Sequence, residues 1–266
     1  MAYKTILLVI DPQNSFCDPA GELFVTGANK DMERLAAMIH KHGSRLDDIH
    51  VTLDTHHIMD VAHPLFWVNS ANAHPAPFTL ISYEDVKNGT WGPAVPSFVG
   101  RMLHYTKSLE TNGRYVLCVW PEHCLIGHWG HNLFEPMRQV LDDWEKQNIA
   151  LVDFVTKGTN IFTEHYSAVQ ADVPDANDPT TQLNTRLIQA LQDADKVLLA
   201  GEALSHCVAN TVTDIADTFG DANIKKLWLL EDCSSSVPSF ESLGTDFINR
   251  LVARGMNVTT SDKALQ

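Results

Sequence analysis

Residues 196–214 read KVLLAGEALSHCVANTVTD, and this stretch decides both the expected fold and the expected chemistry. An apolar run typical of a buried strand ends at Glu202, and an amphipathic pattern typical of a helix follows it. Cys207 therefore stands at the amino terminus of a predicted helix, where free amides and the helix dipole favour a thiolate. A buried structural cysteine is the alternative, because free cysteine is among the most buried residue types.

The alternation of strand and helix in that stretch repeats along the chain. Strands are predicted at 5–10, 49–53, 114–120, 149–155, 196–202, 225–231 and 256–260. Helices are predicted at 31–44, 131–147, 181–194, 207–220 and 239–255. Nearly continuous apolar strands are typical of a sheet that is buried on both faces. The sequence therefore predicts a three-layer αβα fold, with helices flanking a mostly parallel sheet of about six strands.

The stretch 57–113 departs from this rhythm. Prolines stand at positions 64, 75, 77, 93 and 96, and regular apolar spacing returns only at 96–110. We interpret 57–113 as an elaborated insertion or lid within a single domain that spans 1–266, since no repeat or long linker marks a second domain.

Composition limits the classes of partner. A net charge of −14 argues against nucleic acid and anionic membranes, which are bound through basic patches, and favours a small-molecule substrate. The five cysteines are odd in number and have no paired spacing, so we expect reduced thiols. The first residues lack a signal-peptide pattern, and no window approaches a transmembrane span, so we expect a cytoplasmic protein.

Four reactive side chains follow predicted strands. Asp11, Asp54, Lys157 and Cys207 all lie at or just beyond carboxyl ends, which meet at one edge of a parallel sheet, where ligands bind. A lysine favours the thiolate, and a carboxylate can accept the thiol proton and later deliver it to a leaving amine. A simple salt bridge between Asp11 and Lys157 is the alternative.

A second group of residues is rich in histidine. Asp54 and His56 share one face of an extended segment, because alternate residues of a strand point to the same side, and His123 supplies a distant third ligand. His63 follows this pair in the sequence, and His128 and His131 are spare candidates that could replace or supplement His123. Oxygen and imidazole ligands suit zinc, iron or manganese, although a chance Asp-x-His pair is common in a chain with 13 histidines.

Five motifs in this order resemble those of nicotinamidases, a branch of the isochorismatase-like cysteine hydrolase superfamily. The resemblance covers roughly residues 5–235. The motifs are Asp11-Pro12-Gln13-Asn14-Ser15-Phe16-Cys17, Asp54-Thr55-His56, Trp120-Pro121-Glu122-His123-Cys124, Lys157-Gly158 and Ala203-Leu204-Ser205-His206-Cys207-Val208.

The resemblance implies the isochorismatase-like hydrolase fold and a role for each matched residue. Cys207 is implied as the nucleophile, Asp11 as general acid and base, and Lys157 as the group that stabilises the charged pair. The amides of Ala203 and Cys207 are implied as an oxyanion hole, with a cis peptide at Glu202-Ala203. The resemblance further implies a metal, expected to be zinc, on Asp54, His56 and His123, with His63 as the nearest equivalent of a further histidine that some family members supply. It also implies substrate contacts from Gln13, Phe16 and Trp120, and a homodimer or homotetramer.

The resemblance also implies a reaction, hydrolysis of a small carboxamide through a thioester, with nicotinamide as the leading substrate. Leu204, Ser205 and Ser15 depart from the usual motifs near the expected pocket, so another carboxamide or carbamoyl substrate stays open. An isochorismatase, which works without a cysteine nucleophile, and a non-catalytic ligand-binding protein are the remaining alternatives.

Overall fold

The computed structural model describes residues 3–111 and 115–266. Its strands are β1 (Thr5–Ile10), β2 (Asp48–Asp54), β3 (Trp67–Val68), β4 (Leu80–Ile81), β5 (Gly92–Pro93), β6 (Leu117–Cys118), β7 (Asp153–Lys157), β8 (Lys196–Gly201), β9 (Leu227–Leu230) and β10 (Asn257–Thr259). Its helices are α1 (Asn14–Cys17), α2 (Ala28–His42), α3 (Tyr83–Asn88), α4 (Val99–Thr111), α5 (Glu135–Asn148), α6 (Thr185–Gln192), α7 (Ala209–Phe219), α8 (Asp221–Ile224) and α9 (Glu241–Ala253).

A six-stranded sheet forms the centre of the molecule. Its order is β10-β9-β8-β1-β2-β7, and every neighbouring pair is parallel. All six side chains of β1 are buried, as expected for the central strand of a sheet covered on both faces. From β1 the chain builds one half of the sheet through β2 and β7, then returns to β8 on the other side of β1. The strand order therefore reverses between β1 and β8, where open parallel sheets bind ligands.

Helices cover both faces of this sheet, as predicted. α2 packs against α5, while α7 packs against α6 and α9. Right-handed crossovers put α2 and α5 on one face and the other three helices on the opposite face, because the two halves of the sheet grow in opposite directions. Each of these helices buries an apolar stripe; in α2 it comprises Met32, Leu35, Ala36 and Ile39.

Two predicted strands differ from the structure. The strand predicted at 149–155 begins only at Asp153, because α5 runs to Asn148 and Ile149 closes it with a positive φ of 50°. The run 114–120 is wrong as a strand of the main sheet. Its first residue lies outside the described residues, and β6 pairs antiparallel with β4 in a separate two-stranded ribbon. β3 and β5 form a second such ribbon.

Much of the predicted insertion packs around a hydrophobic cluster of its own, which we call the second core. It is separate from the large cluster around the main sheet. Residues 112 and 113 of the predicted insertion lie outside the described residues. The second core consists of Val61, Phe66, Trp67, Ile81, Val86, Met102, Tyr105, Leu109, Leu117 and Val119.

Within the described ranges, the helices are too short or too polar to cross a membrane.

Candidate active site

Lys157 is the buried cation around which the site is built. Its Nζ lies 2.9 Å from Asp11 Oδ2 and 2.9 Å from Asp54 Oδ1. The same atom is 3.7 Å from Cys207 Sγ. Burial alone would lower the pKa of Lys157, but the two carboxylates raise it well above its usual value. The four predicted strand-end residues thus meet, and the lysine among them is charged.

The register of the sheet brings these residues together. Asp54 and Lys157 are direct partners at the ends of β2 and β7. At the ends of β1 and β8, Ile10 pairs with Gly201, which has a φ of +122°. A Cβ on Gly201 would lie 2.1 Å from the carbonyl oxygen of Ile10, so only glycine permits this approach. The segment that follows β8 therefore runs directly beside Asp11.

Asp11 is fully buried and has a positive φ of 47°, a conformation that is uncommon outside glycine. Thr52 fixes it on two sides: the Asp11 amide donates to Thr52 Oγ1 at 3.0 Å, and that hydroxyl donates to Asp11 Oδ1 at 2.5 Å. Burial raises the pKa of Asp11, although Lys157 opposes the shift. Nothing in the sequence pattern singles out Thr52, an ordinary residue within a strand.

Cys207 lies in a π-helical turn, Leu204–Val208, that leads into α7. Burial raises the pKa of its thiol well above the usual range; Lys157 lowers it, and the charge and hydrogen bond of Asp11 raise it again. The prediction that the helix terminus favours a resting thiolate is therefore wrong, because desolvation outweighs it. Desolvation thus favours the thiol form of Cys207, whose Sγ shares the Lys157 ammonium with the Asp11 carboxylate.

Asp54, His56 and His123 form a buried group that can hold a metal ion. One potential ligand atom from each residue lies within 4.8 Å of the other two. His56 Nε2 is 3.1 Å, and His123 Nε2 is 3.4 Å, from Asp54 Oδ2. Burial would raise the pKa of Asp54, but His56 and Lys157 hold it well below its usual range. The group therefore offers one carboxylate and two imidazole nitrogens.

A second set of contacts orients both imidazoles. His56 Nδ1 lies 3.1 Å from Asp60 Oδ2, and His123 Nδ1 lies 2.8 Å from the carbonyl oxygen of Pro121. The Pro121 carbonyl accepts the Nδ1 proton of His123, and the Asp60 carboxylate beside Nδ1 of His56 favours a proton there, so both rings present Nε2 to Asp54. In the sequence, the signal for this contact was that Asp60 lies four residues after His56.

The other histidines considered from the sequence lie around this group. His63 Nε2 is 3.3 Å from His123 Nδ1, and burial, followed by His123 and His56, lowers the pKa of His63 to about 2. His63 is thus a neutral neighbour outside the three-residue group. His131 Nε2 contacts Thr55 Oγ1 at 3.1 Å, and His128 is exposed.

A small cavity opens beside Cys207 and the metal-binding group. The Phe16 ring lies 5.4 Å from that of His123, and Trp120 Nε1 donates to the Tyr166 hydroxyl at 2.7 Å. The aromatic pair expected from the sequence thus lies in the wall, together with Tyr166 and His206. The full lining is Phe16, Leu23, Asp54, Trp120, His123, Tyr166, Ala203, His206, Cys207 and Val237.

Gln13, expected among the substrate contacts, does not line this cavity. Its Oε1 accepts from the Asp54 amide at 2.7 Å, and its Nε2 donates to the carbonyl oxygens of Asp54 at 2.8 Å and His131 at 2.9 Å. Backbone carbonyl oxygens therefore accept from both side-chain amide hydrogens of Gln13. We interpret Gln13 as the residue that holds Asp54 in position.

The segment before Cys207 has the backbone expected for an oxyanion hole. The Glu202-Ala203 peptide is cis, as the resemblance implied. Ala203 is extended (φ −94°, ψ 145°), and its carbonyl oxygen accepts from the amides of His206 at 3.0 Å and Val208 at 3.1 Å. Ala203 and Cys207 both line the cavity. Their amides stay the predicted oxyanion donors.

A comparison with curated protein sequences finds a similarity to a nicotinamidase. The chain is 25% identical to the nicotinamidase of Saccharomyces cerevisiae over 213 residues, which cover 79% of this chain and 81% of the yeast protein. No family model matches the chain. The sequence match confirms the predicted resemblance to nicotinamidases.

Solved structures of such proteins share the fold. The yeast nicotinamidase matches with a TM-score of 0.66 and 21% identity, over 96% of this chain and 99% of its own. The nicotinamidase/pyrazinamidase of Acinetobacter baumanii matches with a TM-score of 0.65 and 20% identity, over 100% of both chains. A pyrazinamidase of Pyrococcus horikoshii, solved with zinc, matches with a TM-score of 0.55 and 17% identity, over 97% of this chain and 99% of its own. The predicted isochorismatase-like hydrolase fold is confirmed.

Proposed function

We propose that this protein is a cysteine amidohydrolase that cleaves a small carboxamide, with nicotinamide as its leading substrate. The observation that carries the proposal is the position of Lys157 Nζ, within 2.9 Å of both Asp11 and Asp54 and 3.7 Å from Cys207. A nucleophile, a base and a metal-binding carboxylate thus surround one cation. The matched relative is an amide hydrolase, which agrees with the predicted enzyme class, a hydrolase of non-peptide carbon–nitrogen bonds.

The first chemical step uses Asp11 as the base. Because burial favours the protonated thiol and Lys157 holds Asp11 beside it, Asp11 takes the thiol proton as Sγ attacks the carboxamide carbon. Lys157 stabilises the thiolate that forms, since its ammonium remains charged throughout. Removing Lys157 would leave Asp11 and Asp54 buried without the cation they share, whereas removing the charge of Asp11 leaves Lys157 paired with Asp54.

The following steps return the proton and free the enzyme. The amides of Ala203 and Cys207 hold the tetrahedral oxyanion, and Asp11 delivers its proton to the departing ammonia, leaving a thioester on Cys207. Asp11 then takes a proton from water as the water attacks the thioester carbon. Collapse of that second intermediate releases the carboxylic acid and returns the proton to Sγ.

The residues present fit a divalent metal ion. Asp54, His56 and His123 would hold it through one carboxylate oxygen and two Nε2 atoms, a donor set typical of zinc. Burial alone would lower the pKa of His56, but Asp54 and Asp60 raise it well above its usual value, so these carboxylates favour a cation at this position. When bound, the ion supplies a Lewis acid that orients a ring nitrogen of the substrate. Zinc in the Pyrococcus pyrazinamidase supports this choice of metal.

The cavity wall favours a flat aromatic amide. Phe16, Trp120 and Tyr166 present ring faces and edges close to Cys207, and aromatic side chains bind planar rings through such contacts. A second candidate, hydrolysis of a different carboxamide, is favoured by His206, whose ring packs between Trp120 at 5.1 Å and Phe240 at 5.0 Å and shapes one wall. The contact of Cys207 with Lys157 argues against an isochorismatase and a non-catalytic binding protein.

Ammonia release from a panel of amides tests the proposal. Zinc-loaded protein should hydrolyse nicotinamide or pyrazinamide faster than aliphatic amides, and Cys207→Ala should lose at least about 10⁴-fold in kcat. Cys118→Ala is the matched control, because that thiol is also buried but belongs to β6. Full turnover by Cys207→Ala would refute the assignment of Cys207 as the nucleophile. A preference for an aliphatic amide would show that nicotinamide is not the best substrate.

Elemental analysis tests the metal separately. His123→Ala should purify without stoichiometric metal, and Asp60→Asn should bind zinc about 10- to 100-fold more weakly, because it orients His56. Metal content that is unchanged in His123→Ala would exclude this site. We also propose that the protein acts in the cytoplasm as a homo-oligomer, which sedimentation and cell fractionation would test.

A further inference from the structure

Glu202 is a buried acid that the reaction above does not use. It follows β8 directly, and its residue exposure is 0%. Its own peptide bond leads into Ala203, one of the two proposed oxyanion donors. An ionisable side chain at such a position is costly unless it has partners, because burial penalises its charged form.

The loop at Ser234–Val237 is fastened to this segment by four hydrogen bonds. Ser234 Oγ donates to the Gly201 carbonyl at 2.7 Å, and the Ser235 amide donates to Glu202 Oε2 at 3.0 Å. In the other direction, the Leu204 amide donates to the Ser235 carbonyl at 2.8 Å. The Val237 amide donates to Ser205 Oγ at 3.1 Å. The loop therefore holds the backbone on both sides of Ala203.

Ser235 links this loop, and with it Glu202, to Asp31 of α2. Ser235 Oγ donates to Asp31 Oδ2 at 2.5 Å, and Asp31 is itself only 3% exposed. Among the described residues no donor reaches Glu202 Oε1, whereas the Asp31 carboxylate lies within hydrogen-bond reach of the Glu202 side chain. A carboxyl oxygen that meets an acceptor and no donor carries a proton of its own.

The electrostatics agree with that protonation state. Burial, followed by the negative charge of Asp31, raises the pKa of Glu202 well above its usual value, while Ser235 and Arg34 oppose the shift. As an acid, Glu202 donates to Asp31 and accepts from Ser235, so both oxygens have partners.

We propose that Glu202 is a positioning residue that, as a neutral carboxylic acid, fixes Ser235 and thereby the backbone of Ala203–Cys207 for binding of the oxyanion. This inference rests on the proposed amide hydrolysis. It concerns the alignment of two amides, and not the formation of the nucleophile, which depends on Asp11 and Lys157. The two roles are therefore separable by experiment.

The test compares Glu202→Gln with Glu202→Ala. Glutamine can accept from Ser235 and donate to Asp31, so Glu202→Gln should keep kcat within about threefold; alanine can do neither and should lower kcat about 10- to 100-fold, with KM within about twofold. Glu202→Ala should also weaken inhibition by nicotinaldehyde, which needs the oxyanion hole once Cys207 adds to it, about tenfold or more, but not inhibition by nicotinate. If another amide is the substrate, its own aldehyde and acid replace these probes.

Two further variants keep the test decisive if Glu202→Ala does not fold. Ser235→Ala removes only the contact with Asp31 and should lower kcat about three- to tenfold. Asp232→Ala is the control, because Asp232 lies just before the same loop and binds Ser261 at 2.8 and 2.6 Å. It should lower the Tm without changing kcat.

Alkylation of Cys207 by iodoacetamide, followed by mass spectrometry, distinguishes a failure of the positioning role of Glu202 from a failure of the proposed amide hydrolysis. Unchanged alkylation with reduced kcat in Glu202→Ala supports the positioning role. Equal kcat in wild type, Glu202→Ala and Ser235→Ala would overturn that role alone. Wild-type protein that releases no ammonia from any amide would overturn both the proposed function and this inference.

Discussion

The catalytic edge and the second core differ in what they bury. By the catalytic edge we mean the four side chains Asp11, Asp54, Lys157 and Cys207. The catalytic edge buries charges: Asp54 and Lys157 end paired strands, Asp11 directly follows β1, and Cys207 lies in the turn that follows β8. The second core buries almost only apolar groups, held by packing between short ribbons and α4. Charges that must stay within hydrogen-bond distance thus stand at the ends of paired strands of the main sheet, while the second core is built from short ribbons and helices.

The two regions meet at the metal-binding group. Asp54 is the last residue of β2 and His56 lies two residues later, whereas His123 comes from the segment that follows the second core. Two backbone contacts join them: His56 bridges to Leu125, and the Trp120 amide donates to the Ala62 carbonyl at 2.8 Å. The comparison therefore predicts that chemistry and stability can be damaged separately.

The largest effect should come from Asp11→Asn. This change removes the base while keeping the contact with Thr52, so kcat should fall about 10³-fold with little change in KM or Tm. Steady-state ammonia release and thermal unfolding measure the two quantities. Asp153→Asn is the control, because Asp153 begins β7 at the opposite end and binds His50 at 2.9 Å. A loss of kcat in the control as large as that in Asp11→Asn would contradict the separation.

A mutation in the second core should do the reverse. Phe66 is fully buried, and its ring contacts those of Trp67 at 5.3 Å and Phe98 at 6.2 Å. Phe66→Ala should lower the free energy of unfolding by about 3 kcal/mol through the cavity it leaves. Urea denaturation measures that loss, and kcat per folded molecule should stay within about twofold. If kcat per folded molecule fell in proportion to stability, the second core would be shaping the chemistry itself.

The smallest effect concerns pH and His206, which stands in the cavity wall. Burial lowers the pKa of His206 to about 4, whereas an unfolded histidine titrates near 6.5. Between these values only the unfolded chain binds the proton, so stability should fall as pH drops from about 6.5 to 4, by an amount on the order of 2 kcal/mol.

His206→Phe keeps an aromatic ring and removes this titration. Its unfolding free energy should therefore decrease less between pH 7 and pH 4.5 than that of the wild type, as measured by urea denaturation at both values. Comparing each protein with itself cancels the constant cost of losing the contact with Ser205 at 2.8 Å. Equal pH dependence in both proteins would assign the acid sensitivity to another group.

Strand ends were predictable because they follow from periodicity and topology alone. A buried parallel strand has a nearly continuous apolar run, and its first polar residue marks the edge of the sheet, so Asp11, Asp54 and Lys157 could be located from the chain. The run before Trp120 looked the same, yet it forms β6 outside the main sheet. Apolar content reports burial and not the sheet in which a segment is buried.

Partners distant in sequence were beyond such reasoning. Nothing in the pattern joins Thr52 to Asp11, or Glu202 to Asp31, since these contacts depend on how two elements pack. The protonation of Cys207 was misjudged for a related reason. Its helix position is local and visible in the sequence, whereas its desolvation is produced by the whole fold and proves the stronger effect.

The reversal of strand order at β1 has a consequence for the folding of the chain. β1 is synthesised first, yet its ladder with β8 forms only after β2, β7 and the second core lie between them in the sequence. Closing so long a loop is entropically costly, and pairings between distant segments form slowly. Asp11 and Cys207 come together only through that pairing, so the onset of turnover during refolding would time the joining of the two halves of the sheet.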